Sequence, residues 1–158
     1  MAELTDGDVA PAFTLPDRHG EPVSLSSFAP GRVIVYFFPA ALTPGCTVEA
    51  VDFTTHLDEF TRRGMRVVGI SPDPVAKLDA FTAKNDLTVT LLSDPTKQTI
   101  EAYGVWGTKT LYGKTVEGIL RSTFLVDVAP DGVGTIRHAA YNVRAAGHVE
   151  RLLKRLGA

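Results

Sequence analysis

The strongest nucleophile in this chain is Cys46, the only cysteine among 158 residues. A cysteine sulfur attacks electrophiles as the thiolate, so its surroundings decide whether it reacts or merely fills space. Its neighbours are Thr43-Pro44-Gly45-Cys46-Thr47-Val48-Glu49-Ala50. Threonine is favoured at a helix N-cap and proline at the first helical position, which puts Cys46 in the first turn. Unpaired backbone N–H groups and the positive end of the helix dipole gather there, and both favour an anion. The pattern predicts an activated thiolate suited to nucleophilic, covalent chemistry. Disulfide exchange of the Cys-x-x-Cys kind is disfavoured, because Thr43 stands where a second cysteine would be.

Two elements must hold this residue in place. Arg32 to Phe38 is β-branched and aromatic almost throughout, which predicts a central strand buried on both faces. Pro39 ends it, having no N–H for a sheet ladder. Beyond Cys46, the spacing of Ala50, Phe53, Leu57 and Phe60 predicts one helix with an inward apolar stripe, closed at Arg62-Arg63-Gly64.

Residues 1–11 read as an irregular lead-in, and Ala12–Leu15 with Pro22–Leu25 as an N-terminal β-hairpin. Further strands are predicted at Met65–Ser71, Thr88–Leu92, Ser122–Asp127 and Val133–His138. Helices are expected near 75–84, 97–103 and 144–156. Val105 to Gly118 reads as a loop containing Trp106, and a connection of that length is often functional. Strand–helix–strand–helix followed by an antiparallel pair and a closing helix argues for an α/β fold with a mixed β-sheet flanked by helices.

The length and the 44% apolar, 22% charged composition predict one compact domain over residues 1–158. Sixteen basic against eighteen acidic side chains give a formal charge of −2, so no electrostatic pull toward nucleic acid or an anionic membrane is expected. No signal peptide is visible at the acidic N-terminus, and Val33–Leu42, interrupted by Pro39, is too short to span a bilayer. A lone cysteine fits a reducing, cytoplasmic compartment. His19, His56, His138 and His148 show no ligand spacing, so no metal site is predicted. Gly132-Val133-Gly134 opens a strand after a turn and is no dinucleotide fingerprint.

The spacing Pro39-x-x-x-Thr43-x-x-Cys46, continued by Glu49-Ala50, resembles the active-site motif of the peroxiredoxins, and specifically of their bacterioferritin-comigratory-protein or peroxiredoxin Q branch. Ala102–Gly107, Tyr112-Gly113-Lys114 and Arg121–Asp127 are similar to further blocks of that branch, in the same order. The resemblance implies a thioredoxin-like fold and a thiol peroxidase acting on hydrogen peroxide and organic hydroperoxides, without metal or organic cofactor. It makes Cys46 the peroxidatic nucleophile, with Pro39, Thr43 and Arg121 completing the site and Glu49 orienting the arginine. Arg121 and Glu49 have no such role on their own residue context, where a solvated arginine and a structural carboxylate would be ordinary.

The chain departs from that branch at Val51, where many members carry a resolving cysteine in the same helix. With no second cysteine, oxidised Cys46 has to meet a thiol from outside. The implied partner is a thioredoxin, a glutaredoxin-like protein or a low-molecular-weight thiol, with the protein a monomer or weak homodimer. A redox sensor or binding protein on the same fold, oxidised without sustained turnover, is the alternative. Ala40-Ala41-Leu42 before Thr43 is more apolar than usual for the branch, which suggests an entrance suited to organic hydroperoxides.

Overall fold

The computed structural model describes residues 3–111 and 113–156; Tyr112, quoted above in one of the family blocks, lies outside them. Among the described residues ten strands and five α-helices follow in order: β1 Val9–Ala10, β2 Thr14–Pro16, β3 Pro22–Ser24, β4 Gly31–Phe37, α1 Pro44–Thr55, α2 Leu57–Arg62, β5 Met65–Ser71, α3 Val75–Asn85, β6 Thr90–Ser93, α4 Gln98–Ala102, β7 Trp106–Leu111, β8 Lys114–Ile119, β9 Ser122–Val128, β10 Gly134–Ala140 and α5 His148–Arg155. Six strands form one mixed sheet in the order β1-β10-β9-β4-β5-β6, with β4 parallel to β5 and antiparallel to β9.

The unbroken apolar run of β4 has the reason anticipated from sequence, since both faces of this central strand are covered. Ile34, Tyr36 and Phe38 join a core with Phe53 of α1, Phe60 of α2, Phe81 of α3 and Val149 of α5. Val33, Val35 and Phe37 point the other way, to Ile100 of α4, Tyr103 and Phe124. Successive residues of a strand alternate between faces, so β9 sorts likewise: Leu125 lies on the α1 side, Phe124 and Val126 on the α4 side. Fully burying such a side chain contributes about 1.5–3 kcal/mol, and Val33 to Phe37 are all sealed from solvent.

Several expectations need correcting. The lead-in contains β1, whose Val9 and Ala10 pair with Thr135 and Gly134. The stretch expected to be a loop from Val105 to Gly118 is mostly a hairpin of β7 and β8, with Gly113 at φ +75° in its turn. Its Thr, Lys and Gly residues hid the alternation, because this two-stranded unit lies outside the main sheet. The helix expected to run unbroken to Arg63 splits at His56, where φ −99° and ψ 8° interrupt the helical path and the imidazole Nδ1 lies 2.9 Å from the Asp52 carbonyl oxygen. α5 starts only at His148, after the left-handed Gly147. Among the described residues no helix is long and apolar enough to cross a membrane.

Candidate active site

Sheet pairing carries through Phe38, whose N–H donates to the Ile70 carbonyl at 3.1 Å, and stops at Pro39. The next turn, Ala40 to Thr43, is fixed from three sides. The Ala41 N–H donates to buried Asp73 Oδ2 at 2.7 Å, Leu42 adopts φ +67°, and the Thr43 hydroxyl donates to the Ala40 carbonyl at 2.7 Å. Thr43 is the N-cap residue of α1 with extended backbone and Pro44 behind it, as expected, but its side chain makes no cap hydrogen bond. The left-handed Leu42 folds the Ala40 carbonyl back within reach and claims the hydroxyl proton. The lone pairs of Thr43 Oγ1 remain as acceptors.

Cys46 sits in the first turn of α1 at 1% exposure. Glu49 follows one turn later on the same face and is sealed from solvent. Arg121, the second residue before Thr123 and thus on the same side of β9, reaches both. Its Nη2 donates to Cys46 Sγ at 3.3 Å and its Nη1 to Glu49 Oε1 at 2.5 Å. Two neighbours make room for the guanidinium. A Cβ at Gly45 would lie 3.3 Å from Arg121 Nη2, so glycine there permits the close approach. The Val143 N–H holds the Arg121 carbonyl at 2.8 Å. One cation thus stands between two groups that can each be anionic. Burial works against the Arg121 charge, but Glu49 and Cys46 outweigh it and hold the guanidinium above its ordinary value.

Three residues of this face were not singled out from sequence. Tyr36 and Thr123 are register partners across β4 and β9, and His148 opens α5 above them. His148 Nε2 lies 2.8 Å from Thr123 Oγ1 and 3.9 Å from Glu49 Oε2, beyond hydrogen-bond range. Glu49 Oε2 and the Tyr36 hydroxyl are the buried side-chain polar atoms without a hydrogen-bond partner among the described residues. Burial pushes the Glu49 carboxyl up to about 7 despite Arg121. Burial, then the cations Arg151 and Arg121, bring His148 down to about 4. Tyr36 is raised well above its usual value by burial, then by Glu49 and Cys46, so its phenol stays neutral. No spacing rule links residues 36, 49, 123 and 148; the pairing of β4 with β9 brings Tyr36 and Thr123 together, and the packing of α1 and α5 on that face adds Glu49 and His148.

Of the residues predicted from sequence, Arg121 is in direct contact with both Cys46 and Glu49. Thr43 stands one turn before Cys46 and Pro39 at the end of the central strand, both half-buried. The arrangement can hold a sulfur anion against a permanent cation and offer a small electrophile one guanidinium and one hydroxyl acceptor.

Residues 7–139 match the family described as AhpC/TSA. The chain is 54% identical over 153 residues to a protein of Mycobacterium tuberculosis named as a candidate peroxiredoxin, covering 97% of this chain and 95% of that one. It is 44% identical to peroxiredoxin Bcp of Escherichia coli strain K12, covering 97% and 96%. Among solved structures, a cysteine-to-serine variant of PrxQ from Xylella fastidiosa superposes with a TM-score of 0.87 at 31% identity, covering 99% and 97%.

Proposed function

This chain belongs to the AhpC/TSA family, as a thiol peroxidase of the Bcp/PrxQ peroxiredoxin type with a thioredoxin-like fold, and on that premise we propose how its residues divide the work. Cys46 is the peroxidatic nucleophile. Its sulfur lone pair attacks one peroxide oxygen in line with the O–O bond, the bond's electron pair leaves on the other oxygen, and Cys46 becomes a sulfenic acid. Arg121 favours the thiolate and donates to the peroxide oxygens as charge moves between them. Thr43 accepts from the peroxide O–H, since its own proton is given to Ala40. Pro39 walls the approach without a competing donor, and Glu49 orients the guanidinium. The observation that carries this reading is the 3.3 Å contact from Arg121 to Cys46 Sγ, with Glu49 fixing the other arm of the same guanidinium.

Regeneration uses a thiol from outside the chain, because Cys46 has no cysteine partner in the sequence. At 1% exposure its sulfur is out of reach of a bulky thiol, so the first turn of α1 opens for that step. Leu42, 42% exposed at the turn before α1, presents an apolar lip that favours organic hydroperoxides. We place the protein in the cytoplasm as one domain, where such thiols are abundant.

Sustained consumption of peroxide with thioredoxin, glutaredoxin and a low-molecular-weight thiol, each tested in turn, decides whether the cycle closes. Turnover beyond one equivalent per chain with at least one donor is expected. A single equivalent with all three would point to a sensor instead. Rates with hydrogen peroxide and a bulky hydroperoxide test the apolar lip, and a strong preference for hydrogen peroxide would remove it.

A further inference from the structure

Next to the Arg121–Glu49 pair, where Val143 and His148 reach it, a cleft of about 430 Å³ opens between β10, the segment 141–147 and α5. Its lining includes His138, Val143, His148, Arg151 and Arg155. His148 therefore has two faces. One meets Thr123 and the unpartnered Glu49 Oε2 inside the core; the other belongs to the cleft. The Val143 N–H that holds the Arg121 carbonyl comes from the same wall.

The peroxidase step changes the charge on the other side of Glu49. Before it, Arg121 is shared by the Cys46 thiolate and the Glu49 carboxyl. The step forms an S–O bond, breaks the O–O bond and sends the thiolate's negative charge away on the leaving hydroxide or alkoxide, which takes up one proton. The sulfenic acid left behind is neutral, so Arg121 loses its anionic partner Cys46, and Glu49, no longer beside a thiolate, takes over as the anion it pairs with. A carboxyl that was protonated beside the thiolate now ionises. The overall step is thiolate plus protonated Glu49 plus peroxide, giving sulfenic acid plus ionised Glu49 plus water or alcohol, with no net uptake of protons: the one taken from solvent by the leaving oxyanion is matched by the one that Glu49 releases.

Glu49 is sealed, so its proton needs a way out. We propose that His148 is a positioning and relay residue for the Arg121–Glu49 pair, passing the Glu49 proton to solvent in the cleft when Cys46 is oxidised. The 3.9 Å gap from Glu49 Oε2 to His148 Nε2 closes to a hydrogen bond with a shift of about 1 Å. The Thr123 hydroxyl, 2.8 Å from the same nitrogen, turns from donor to acceptor as Nε2 gains its proton. The imidazole does not keep it, because burial, and then Arg151, Arg121 and His138 facing it, disfavour its cation. Around Glu49 the other titratable groups are Cys46, Asp52 and Tyr36, and Tyr36 stays neutral.

The inference rests on Cys46 being peroxidatic, and one experiment separates the two. Single-turnover oxidation is run at about pH 6, below the Glu49 value of about 7, with an indicator dye for protons and rapid-quench mass analysis for Cys46. The ultraviolet thiolate band confirms the starting state. In the wild type the dye signal stays flat while Cys46 gains one oxygen. In Glu49→Gln one proton per chain is taken up. In His148→Gln uptake comes first, and its reversal, the delayed release from Glu49, lags by roughly 10²-fold. In His148→Ala the same lag appears and free imidazole, entering from the cleft, shortens it. A flat signal in His148→Gln, or a lag in His148→Ala that imidazole does not shorten, overturns the relay. Uptake of one proton in the wild type overturns the ionisation of Glu49. Failure of wild-type Cys46 to gain oxygen overturns the peroxidase reading itself.

Discussion

Two buried polar clusters lie at the C-terminal ends of the parallel strands, and they are finished differently. In the cluster after β5 and β6, Asp73 Oδ2 accepts from the Ala41 N–H and the Ser71 hydroxyl, and Oδ1 pairs with Lys77 at 3.2 Å. The Asp73 carbonyl accepts from the Ser93 hydroxyl and Asp94 Oδ2 from the Ile100 N–H. In the cluster beside β4 and β9, Glu49 Oε2 and the Tyr36 hydroxyl have no hydrogen-bond partner among the described residues. A satisfied buried network rigidifies, whereas an open one costs stability and leaves protons free to move. The first cluster holds the turn that leads to Cys46, and the second adjoins Arg121, to which we assign a part in the chemistry.

That contrast predicts effects of different kinds. The largest is on rate. Arg121→Ala should lower the rate constant for Cys46 oxidation by about 10²–10³-fold while the circular dichroism of the folded protein is kept, since Glu49 can protonate once its partner is gone. A loss under tenfold would deny the guanidinium its part. Asp73→Ala should do the reverse. Leaving the Ala41 N–H and Ser71 hydroxyl unpaired should cost about 2–4 kcal/mol in urea unfolding. Its effect on the oxidation rate should be much smaller than that of Arg121→Ala. Equal damage to rate and stability in both variants would erase the distinction between the clusters.

The open cluster also sets the pH dependence of stability. Glu49 holds its proton more tightly folded than unfolded, so its contribution is fully present below about 4.5 and is lost as pH rises through about 7. His148 binds its proton less tightly when folded, so its contribution is present above about 6.5 and is lost as pH falls toward about 4. Between about 4.5 and 6.5 the two slopes oppose each other. Denaturant titrations of Glu49→Gln should show stability rising with pH through that window, and those of His148→Gln should show it falling. Parallel profiles for the two variants would mean that neither group is perturbed as described.

Smaller effects come from packing and from the missing cysteine. A Cβ at Gly69 would lie 2.5 Å from Tyr36 Cζ, so Gly69→Ala should cost about 1–3 kcal/mol by displacing the ring stacked on Phe53. Val51, 37% exposed, stands five residues after Cys46 on the same helix. Cysteines at that spacing in an intact helix are too far apart to bridge. Val51→Cys should therefore form an internal disulfide after peroxide treatment only if α1 unwinds, read as the loss of two hydrogens by intact mass. A stable sulfenic acid in that variant would argue for a rigid first turn.

How much of this was legible in the sequence follows from where the information is stored. β4 was readable because saturation with Val, Ile, Tyr and Phe has one common explanation, burial on both faces. The start of α1 was readable because Thr43 and Pro44 are local signals. β7 and β8 were not, since Gly, Thr and Lys alternate there without an apolar face to mark the period. The break at His56 arises from local backbone geometry inside a continuous apolar stripe, so the stripe concealed it. Cys46 was found from its own neighbours, Arg121 and Glu49 only through resemblance, and His148 not at all. Its contact with Glu49 is made by tertiary packing of α5, which no spacing within one element encodes.

The central claim, that Arg121 and the first turn of α1 make Cys46 a peroxidatic thiolate, is tested most directly by quenching the reduced protein at short times after mixing with hydrogen peroxide and measuring intact mass. Wild-type protein should gain one oxygen atom, trappable as a sulfenic acid, far faster than a free thiol does, and Cys46→Ser should gain none. Oxygen uptake no faster than that of a free thiol, or equal uptake in the serine variant, would contradict it.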